Sequence, residues 1–565
     1  MSLLGSLQIA NNALFASQVG LQVTGNNIAN ANTPGYIRQR PVFTTAPTQL
    51  IGDLPLGLGV QVDGIIQQSD RFLSERLRGA ISDLASSEAQ EEAYGQLEAL
   101  IGELTDTDLS TSLSNFFNSI NDILNQPEDI SVRNLAVLQG ATLADDIRRI
   151  DSRIFDIRRN INDEIVSAAA DINRLLSQIA ELNINIVQTE GGSTSGSDAV
   201  GLRDQREVAL AELAEIVKIR VVEQPTGSVS VFAGGDFLVF EGVFRKASVE
   251  YTSDRGLASA TVNLAATDAP LAASTGSLAG HYAARDEILG GFLEDLDELA
   301  STLAFEFNKI YTSGQGLTGL KQAESEYSVS SETVALDQAG LPFTPINGSF
   351  EVKVFNTRTG LTETTDVLVQ LNGLKGDTTL ESLAATLNAI EGLDVNVTAE
   401  RKLKIAADSP ILEFGFGSDT SHLLASLGIN TFFTGNSSRN IDVSNIVRND
   451  PSKFAASEGG VGEDTNIALQ LAAFGDRALE SRNGQTFSDQ YEDLIAKVTQ
   501  ASSVTKAVSE GFRVFQRTLE GQNLGLTGVS IDEEAINMIA YQRAYQASAR
   551  MVATISELLN ILMTL

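Results

Sequence analysis

The first thirty residues carry a stripe of mostly apolar side chains at alternating intervals of four and three. The stripe consists of Leu3, Leu7, Ala10, Leu14, Ser17, Leu21, Thr24 and Ile28. This is the spacing of a heptad seam on one face of an α-helix. Thr33-Pro34-Gly35 follows, and a residue before proline avoids the helical region while Pro-Gly favours a turn. The pattern therefore predicts a helix that ends near Asn30.

A second heptad stripe lies about 500 residues later, at the other end of the chain. It consists of Tyr541, Ala544, Ser548, Met551, Ile555, Leu558 and Leu562, and Tyr545, Val552 and Leu559 widen it. The three charged residues between 535 and 565, Arg543, Arg550 and Glu557, share one heptad position away from the stripe. We expect the two ends to form coiled-coil helices.

Longer helical stripes occupy the middle of the chain. One runs from Ile147 to Ile186 and contains a single four-four step at Ile157, the signature of a stutter. Another runs from Phe487 to Leu519, and a further helix is expected over residues 286–310. Together they predict a rod-like helical bundle.

Two regions have strand character instead. Residues 217–265 alternate and carry turn signals such as Gly234-Gly235, and residues 325–450 are rich in Thr, Val, Gly and Asn. The predicted fold class is therefore mainly α with β insertions. The predicted domains are residues 1–60 with 525–565 as a terminal coiled-coil domain, 61–320 with 450–524 as the helical bundle with a small β subregion near 217–280, and 321–449 as an inserted β-rich domain.

Charge is distributed unevenly along this acidic chain. It has 39 basic and 73 acidic residues, a net charge of −34 that repels phosphate backbones, so nucleic acid is not an expected partner. Residues 1–37 contain no charged side chain. Neither end has the apolar run of a membrane span, and the first residues lack the basic and continuous apolar regions of a secretory signal. Export, if it occurs, is expected to need no cleaved signal.

The sequence offers little for catalysis or metal binding. It has no cysteine, and its two histidines, His281 and His422, lie far apart in the chain. The run Asp532-Glu533-Glu534 precedes a predicted helix, where acidic side chains favourably meet the helix dipole. We therefore expect no catalytic residues, no cofactor and no metal site, and we predict that the chain is not an enzyme.

The outer faces of the two terminal stripes are polar but uncharged. A solvated helix face normally carries charge, whereas a repeating assembly would bring each charge against its own copies. The stripes are therefore predicted to be the surface through which copies of the chain assemble. This predicted assembly seam consists of Leu3, Leu7, Leu14, Leu21, Ile28, Tyr541, Ala544, Met551, Ile555, Leu558 and Leu562.

Two terminal segments resemble a known family. Residues 26–36, NNIANANTPGY, and residues 541–550, YQRAYQASAR, are similar to the terminal signatures of flagellar rod, hook and hook-associated proteins. The internal strings FFNSI at 116–120, LASLGIN at 424–430 and GVSIDEE at 528–534 resemble the hook-associated members. The resemblance covers nearly the whole chain and is weakest across residues 325–420.

The resemblance implies a structural subunit of the bacterial flagellum at the junction of hook and filament, with the β-rich domain pointing outward. It implies export through the flagellar type III apparatus to an extracellular position. The implied partners are other copies of the chain, the hook protein, a second junction protein and a cytoplasmic export chaperone, without membrane insertion. A helical chaperone could bind one face of the C-terminal helix through Met551, Ile555, Leu558 and Leu562. Two alternatives stay open: another axial subunit such as a hook protein, and an enzyme or adhesin within residues 325–450.

Overall fold

A computed structural model describes residues 3–51, 54–102, 109–191, 197–462 and 464–564 of the 565-residue chain. The chain divides into two compact units. The first comprises Met1–Ala93, Arg159–Arg285 and Ser503–Leu565, and the second comprises Tyr94–Arg158 and Asp286–Ser502. Helices dominate the described residues, and strands are inserted between them. The predicted fold class, mainly α with β insertions, is confirmed.

Helix bounds agree well with the sequence patterns. The helices are α1 (Leu3–Ala29), α2 (Arg71–Gly102), α3 (Leu109–Asn125), α4 (Ile130–Glu190), α5 (Val200–Ile216), α6 (Ser277–Tyr282), α7 (Leu289–Tyr311), α8 (Leu380–Asn388), α9 (Leu423–Leu427), α10 (Asn445–Asn449), α11 (Asn466–Ala472), α12 (Phe487–Thr527) and α13 (Ile531–Thr564). A π-helical turn, Ala283–Ile288, joins α6 to α7. Helix α1 ends before Asn30, as its Pro-Gly stop predicts. At the predicted stutter in α4, Ile157 is half-buried while Ile154 and Ile161 are buried.

The strands of the first unit are short and antiparallel. They are β1 (Gln39–Thr45), β2 (Thr48–Ile51), β3 (Leu54–Gly57), β4 (Val60–Gln67), β5 (Arg220–Glu223), β6 (Val229–Ala233), β7 (Asp236–Phe240), β8 (Val243–Phe244), β9 (Ala247–Asp254), β10 (Leu257–Leu264) and β11 (Ala269–Pro270). They pair as β1-β4, β2-β3, β5-β6-β7-β8 and β9-β10-β11. Gly234 adopts a φ of +57° in the turn between β6 and β7, a conformation that favours glycine. The β subregion predicted near 217–280 is thus present.

The strands of the second unit are β12 (Gln322–Glu324), β13 (Gly348–Asn356), β14 (Thr362–Val369), β15 (Leu393–Val397), β16 (Leu403–Ala407), β17 (Leu412–Asp419), β18 (Phe433–Thr434) and β19 (Asp442–Val443). They form antiparallel sheets in the orders β14-β13-β17, β12-β16-β15 and β18-β19. One hydrophobic cluster, drawn from residues 320–429, packs the two three-stranded sheets with α8 and α9. The inserted region therefore has a core of its own.

Candidate assembly interface

The two terminal helices of the first unit pack along each other. Asn27 of α1 contacts Glu534 of α13, and one heptad away Gly20 contacts Tyr541. Because the residue number falls along α1 as it rises along α13, the helices run antiparallel. The two ends of the chain therefore meet within the first unit.

The face of α1 that is buried is lined by small and polar side chains rather than by leucines. Its buried residues are Ala10, Ala16, Ser17, Gly20, Val23, Thr24 and Asn27. The predicted seam residues Leu3, Leu7, Leu14, Leu21 and Ile28 are half-buried beside this line. We call Leu7, Leu14, Leu21 and Ile28 the leucine line. The most deeply buried face of α1 thus lies next to the leucine line rather than on it, and small side chains there allow the helices a close approach.

Gly20 and Tyr541 show how close that approach is. A Cβ atom placed on Gly20 would lie 2.7 Å from two carbons of the Tyr541 ring, well inside normal contact distance. The other side of this ring meets Phe43 of β1 edge-on, with centroids 6.2 Å apart. Burial, followed by the charge of Glu534, raises the pKa of the Tyr541 hydroxyl. Tyr541 therefore inserts between α1 and the β1–β4 hairpin.

The predicted residues of α13 divide between two faces. Ile555 is buried and Tyr541 is half-buried. Ala544, Met551, Leu558 and Leu562 are exposed, with Leu558 47% and Leu562 62% exposed. Of the four residues predicted to bind a chaperone, three are thus accessible in the single chain and Ile555 is covered.

A buried polar cluster joins the ends of α1 and α13. Asn27 donates from Nδ2 to the carbonyl oxygen of Gln39 at 2.9 Å and accepts from the Gln39 amide at 3.0 Å. The same Nδ2 donates to Oε2 of Glu534 at 3.2 Å, and the Tyr36 hydroxyl donates to Oδ1 of Asn27 at 2.7 Å. Asn27 therefore binds the start of β1 as a strand neighbour would, while also contacting α13.

The cluster contains one buried ion pair. Arg38 contacts Oε1 of Glu534 from Nε at 2.8 Å and from Nη2 at 2.6 Å, and it donates from Nη1 to exposed Glu533 at 2.8 Å. Burial alone would lower the pKa of Arg38, but the hydrogen bonds that Arg38 donates to Glu534 and Glu533 outweigh burial and raise this pKa. The backbone amide of Arg38 also donates to the carbonyl of Thr527, at the end of α12.

Sequence reasoning missed this ion pair. It interpreted Asp532, Glu533 and Glu534 through the helix dipole, and their place in the first turn of α13 agrees with that interpretation. The available signal was the position of Arg38, the first charged residue after 37 uncharged ones. A single charge at the border of an uncharged helix pair requires a partner wherever it becomes buried.

The loop after α1 is docked on α5. Gly35 adopts a φ of +76°, and a Cβ atom there would lie 2.6 Å from a methyl carbon of Val208. The Ile37 backbone and the Gln67 side chain, at 2.6 Å, both hydrogen-bond Asp204. Burial is the main cause that raises the pKa of Asp204 to about 6. The Thr-Pro-Gly-Tyr turn therefore packs against α5. Glycine is needed at position 35 because the backbone has a positive φ and because a Cβ atom would clash with Val208.

The outward face of the helix pair is uncharged along α1. Gln8, Asn11, Gln18 and Gln22 are exposed there, together with Leu4 and Phe15, which are 67% and 60% exposed. Large apolar side chains that stay exposed beside uncharged polar ones are typical of an interaction surface.

Neither histidine is among the contacts described above. Nδ1 of His281 is 3.3 Å from Glu164, and burial lowers the pKa of His281. Among the residues that the structure describes, no group of three or more His, Cys, Asp or Glu side chains could hold a metal ion. Within the same residues, no helix is both long enough and apolar enough to span a membrane.

Three family models match the chain in separate places. The model described as flagellar hook-associated protein FlgK helical domain matches residues 94–324. The model described as flagella basal body rod protein matches residues 7–36, and that described as flagellar basal body rod FlgEFG protein C-terminal matches residues 521–565. The last two ranges cover most of α1 and all of α13, the pair described above.

Full-length relatives carry one name. Flagellar hook-associated protein 1 of Salmonella typhimurium is 26% identical over 568 residues, covering 98% of this chain and 99% of the relative. The protein of the same name from Escherichia coli is 24% identical and covers 99% of each chain. A solved flagellar hook junction protein FlgK from Burkholderia pseudomallei is 17% identical with a TM-score of 0.49, covering 79% of this chain and 99% of that one.

Proposed function

The chain belongs to the flagellar hook-associated protein 1 family, and on this premise we propose that it is a structural subunit that joins the flagellar hook to the filament. The relatives that match over their full length carry the hook-associated name, which favours this function over that of a hook subunit. The family is a structural one, and we assign the chain no catalytic role.

The observation that carries the proposal is the paired terminal helices. Leu4 and Phe15 on α1, and Met551, Leu558 and Leu562 on α13, remain exposed in the single chain. Covering them with neighbouring subunits would remove apolar area from water, at about 25 cal/mol per Å². Along α1 the neighbours of these side chains are uncharged and would add no repulsion between identical copies, whereas α13 carries exposed Arg550 and Glu557 beside Met551 and Leu558. We therefore propose that copies of the chain assemble into one layer through this surface, and that the leucine line takes part.

We further propose that the layer contacts the hook protein on one side and a second junction protein on the other. Export would proceed through the flagellar type III apparatus, without a cleaved signal, to the outside of the cell. Before export, a cytoplasmic chaperone would cover the exposed line Met551, Leu558 and Leu562. Ile555 could join that contact only if α13 moved, because Ile555 is buried in the single chain.

The proposal is tested by adding the protein to purified hooks and then adding the second junction protein. The parent should bind the hook tip and permit the second protein to bind. Phe15→Asp should reduce tip binding at least about tenfold, since it would place an unpaired charge in an apolar contact. Leu374→Asp is the matched control, because Leu374 is 71% exposed and lies in the inserted region.

Both variants should keep the thermal stability of the parent, because both side chains are exposed. Tip binding by Phe15→Asp at the parent's level would show that this surface is not the assembly interface. A parent that elongates hooks without permitting the second protein to bind would instead favour a hook subunit.

A further inference from the structure

We propose that Glu534 is a positioning residue that anchors the C-terminal helix to the N-terminal segment, so that α1 and α13 can present one surface. The assembly arm of this inference rests on the proposed function. The anchoring arm stands on the contacts of the single chain.

Helix α13 has few buried positions with which to hold itself in place. Of its 34 residues, Glu534 and Ile555 are buried, and the others are half-buried or exposed. Ile555 lies 21 residues beyond Glu534, about six helical turns away. The first turn of α13 is therefore held chiefly by the contacts of Glu534 with Arg38 and Asn27.

Glu533 and Glu534 both contact the guanidinium of Arg38, but Glu533 is exposed and Glu534 is buried. The side chain of Glu533 is 62% exposed, whereas that of Glu534 is 3% exposed and that of Arg38 is 17% exposed. An exposed ion pair is screened by water and contributes little. Losing one partner of a buried pair leaves the other charge uncompensated. The two neighbouring carboxylates thus give a matched comparison within one contact.

The cluster also makes each end of the chain depend on the other. Without Glu534, the half-buried Arg38 loses a two-point contact and Asn27 loses one acceptor for Nδ2. Without Arg38 and Asn27, Glu534 would be a buried carboxylate with no partner. The other charged residues of α1 and α13 are not buried. This contact therefore fixes the position of α13 along α1, which the small side chains between the helices do not.

The consequence for assembly is geometric. The exposed residues Met551 and Leu558 on α13 keep a fixed position relative to the exposed Phe15 on α1 only while α13 lies on α1. A helix released at its first turn would still be apolar, but it would present this line in no fixed position relative to α1. Glu534 therefore acts on assembly through the placement of α13 and not by touching a neighbouring subunit.

The test compares Glu534→Gln with Glu533→Gln in the full chain. Arg543 and Arg550 are exposed on α13, but trypsin cleaves only locally unfolded backbone. Cleavage after these residues therefore proceeds only as fast as α13 leaves α1 and unfolds. Mass spectrometry of the fragment released after Arg543 gives that rate. Glu534→Gln keeps the shape of the side chain and removes its charge, and we expect release to be faster by about tenfold or more. Glu533→Gln should stay within about twofold of the parent.

Urea unfolding of each variant shows whether the two units stay folded, so that faster release reports α13 alone. Equal release rates for Glu534→Gln and the parent would overturn the inference. The double exchange Arg38→Glu with Glu534→Arg restores an ion pair and should return the rate toward that of the parent.

The assembly arm uses hook-tip binding by the same variants. We expect Glu534→Gln to bind tips at least about tenfold more weakly than Glu533→Gln. If Glu534→Gln releases α13 yet binds tips like the parent, Glu534 does not position the assembly surface. If the parent itself fails to bind tips, the proposed function fails, while the protease result still decides the anchoring arm.

Discussion

Replacing Gly20 with alanine tests whether α1 and α13 are held together by close approach. The new Cβ would lie 2.7 Å from two ring carbons of Tyr541 and 2.8 Å from its Cγ, which is near the backbone end of that side chain. Normal contact requires about 3.5 Å, so the ring must recede by nearly 1 Å or α13 must move. The far face of the ring meets Phe43, which limits the recoil.

Two effects of opposite sign determine the size of the change. Alanine in place of glycine inside a helix stabilises that helix by about 1 kcal/mol. Overpacking of a tight contact costs about 1–3 kcal/mol. Gly25 lies on the same helix, and a Cβ there would have nothing within 4 Å. Gly25→Ala therefore carries the propensity gain without the clash, and the difference between the two variants isolates the clash.

The assay is hydrogen exchange along α13 in the full chain. A clash of about 1–3 kcal/mol corresponds to exchange about five- to 150-fold faster in Gly20→Ala than in Gly25→Ala. On a Tyr541→Ala background the difference between the two glycine variants should vanish, because the ring that Gly20 accommodates is gone. Equal exchange in Gly20→Ala and Gly25→Ala would refute the close-approach argument.

Three further predictions follow from other parts of the structure. Burial raises the pKa of Asp204 from its ordinary value of 3.8 to about 6. Folding therefore takes up a proton at this carboxyl when the pH lies between these two values. The free energy of unfolding should therefore fall as pH rises through this window, by about 1 kcal/mol after allowance for partial exposure, and Asp204→Asn should remove that slope in urea titrations. Phe116 is fully buried among phenylalanine rings, and Phe116→Ala should destabilise the second unit by about 3–5 kcal/mol in urea unfolding. A peptide of the C-terminal helix should lose at least about tenfold in chaperone affinity when Met551 and Leu558 become serine, whereas Ile536→Ser, elsewhere on the exposed surface, should change little, and equal losses would contradict the proposed site.

The elements that could be predicted from sequence are those specified locally. The bounds of α1 follow from a heptad stripe and a Pro-Gly stop within ten residues of each other. The stutter in α4 follows from one irregular interval, and the turn between β6 and β7 follows from a glycine pair. Each of these signals lies within a short window, where helix period and turn chemistry act directly.

What could not be predicted depends on residues far apart in the chain. Glu534 and Arg38 are 496 positions apart, and neither residue type indicates its partner. The sheet order β14-β13-β17 brings residues 350 and 419 together across the intervening strands β14, β15 and β16 and helix α8. The depth of burial along α1 could not be predicted either: Ala10, Ser17 and Thr24 of the predicted stripe are buried, whereas the leucine line is half-buried. Apolar periodicity gives weight to leucine, whereas close packing favours glycine, alanine and serine.

The different burial of the small side chains and of the leucine line has a physical explanation that bears on assembly. Gly20 and Leu21 are one residue apart, so they lie about 100° apart around α1, and a single partner helix cannot bury both lines fully. In the single chain α13 covers the small side chains and leaves the leucine line half-buried. A third helix placed beside the pair would contact the leucine line and the outward residues of α13 together. We infer that small residues serve the contact within one chain because they let α13 lie close, and that the larger leucines are left for contacts between chains, where burial of greater apolar area is needed to offset the entropy of association.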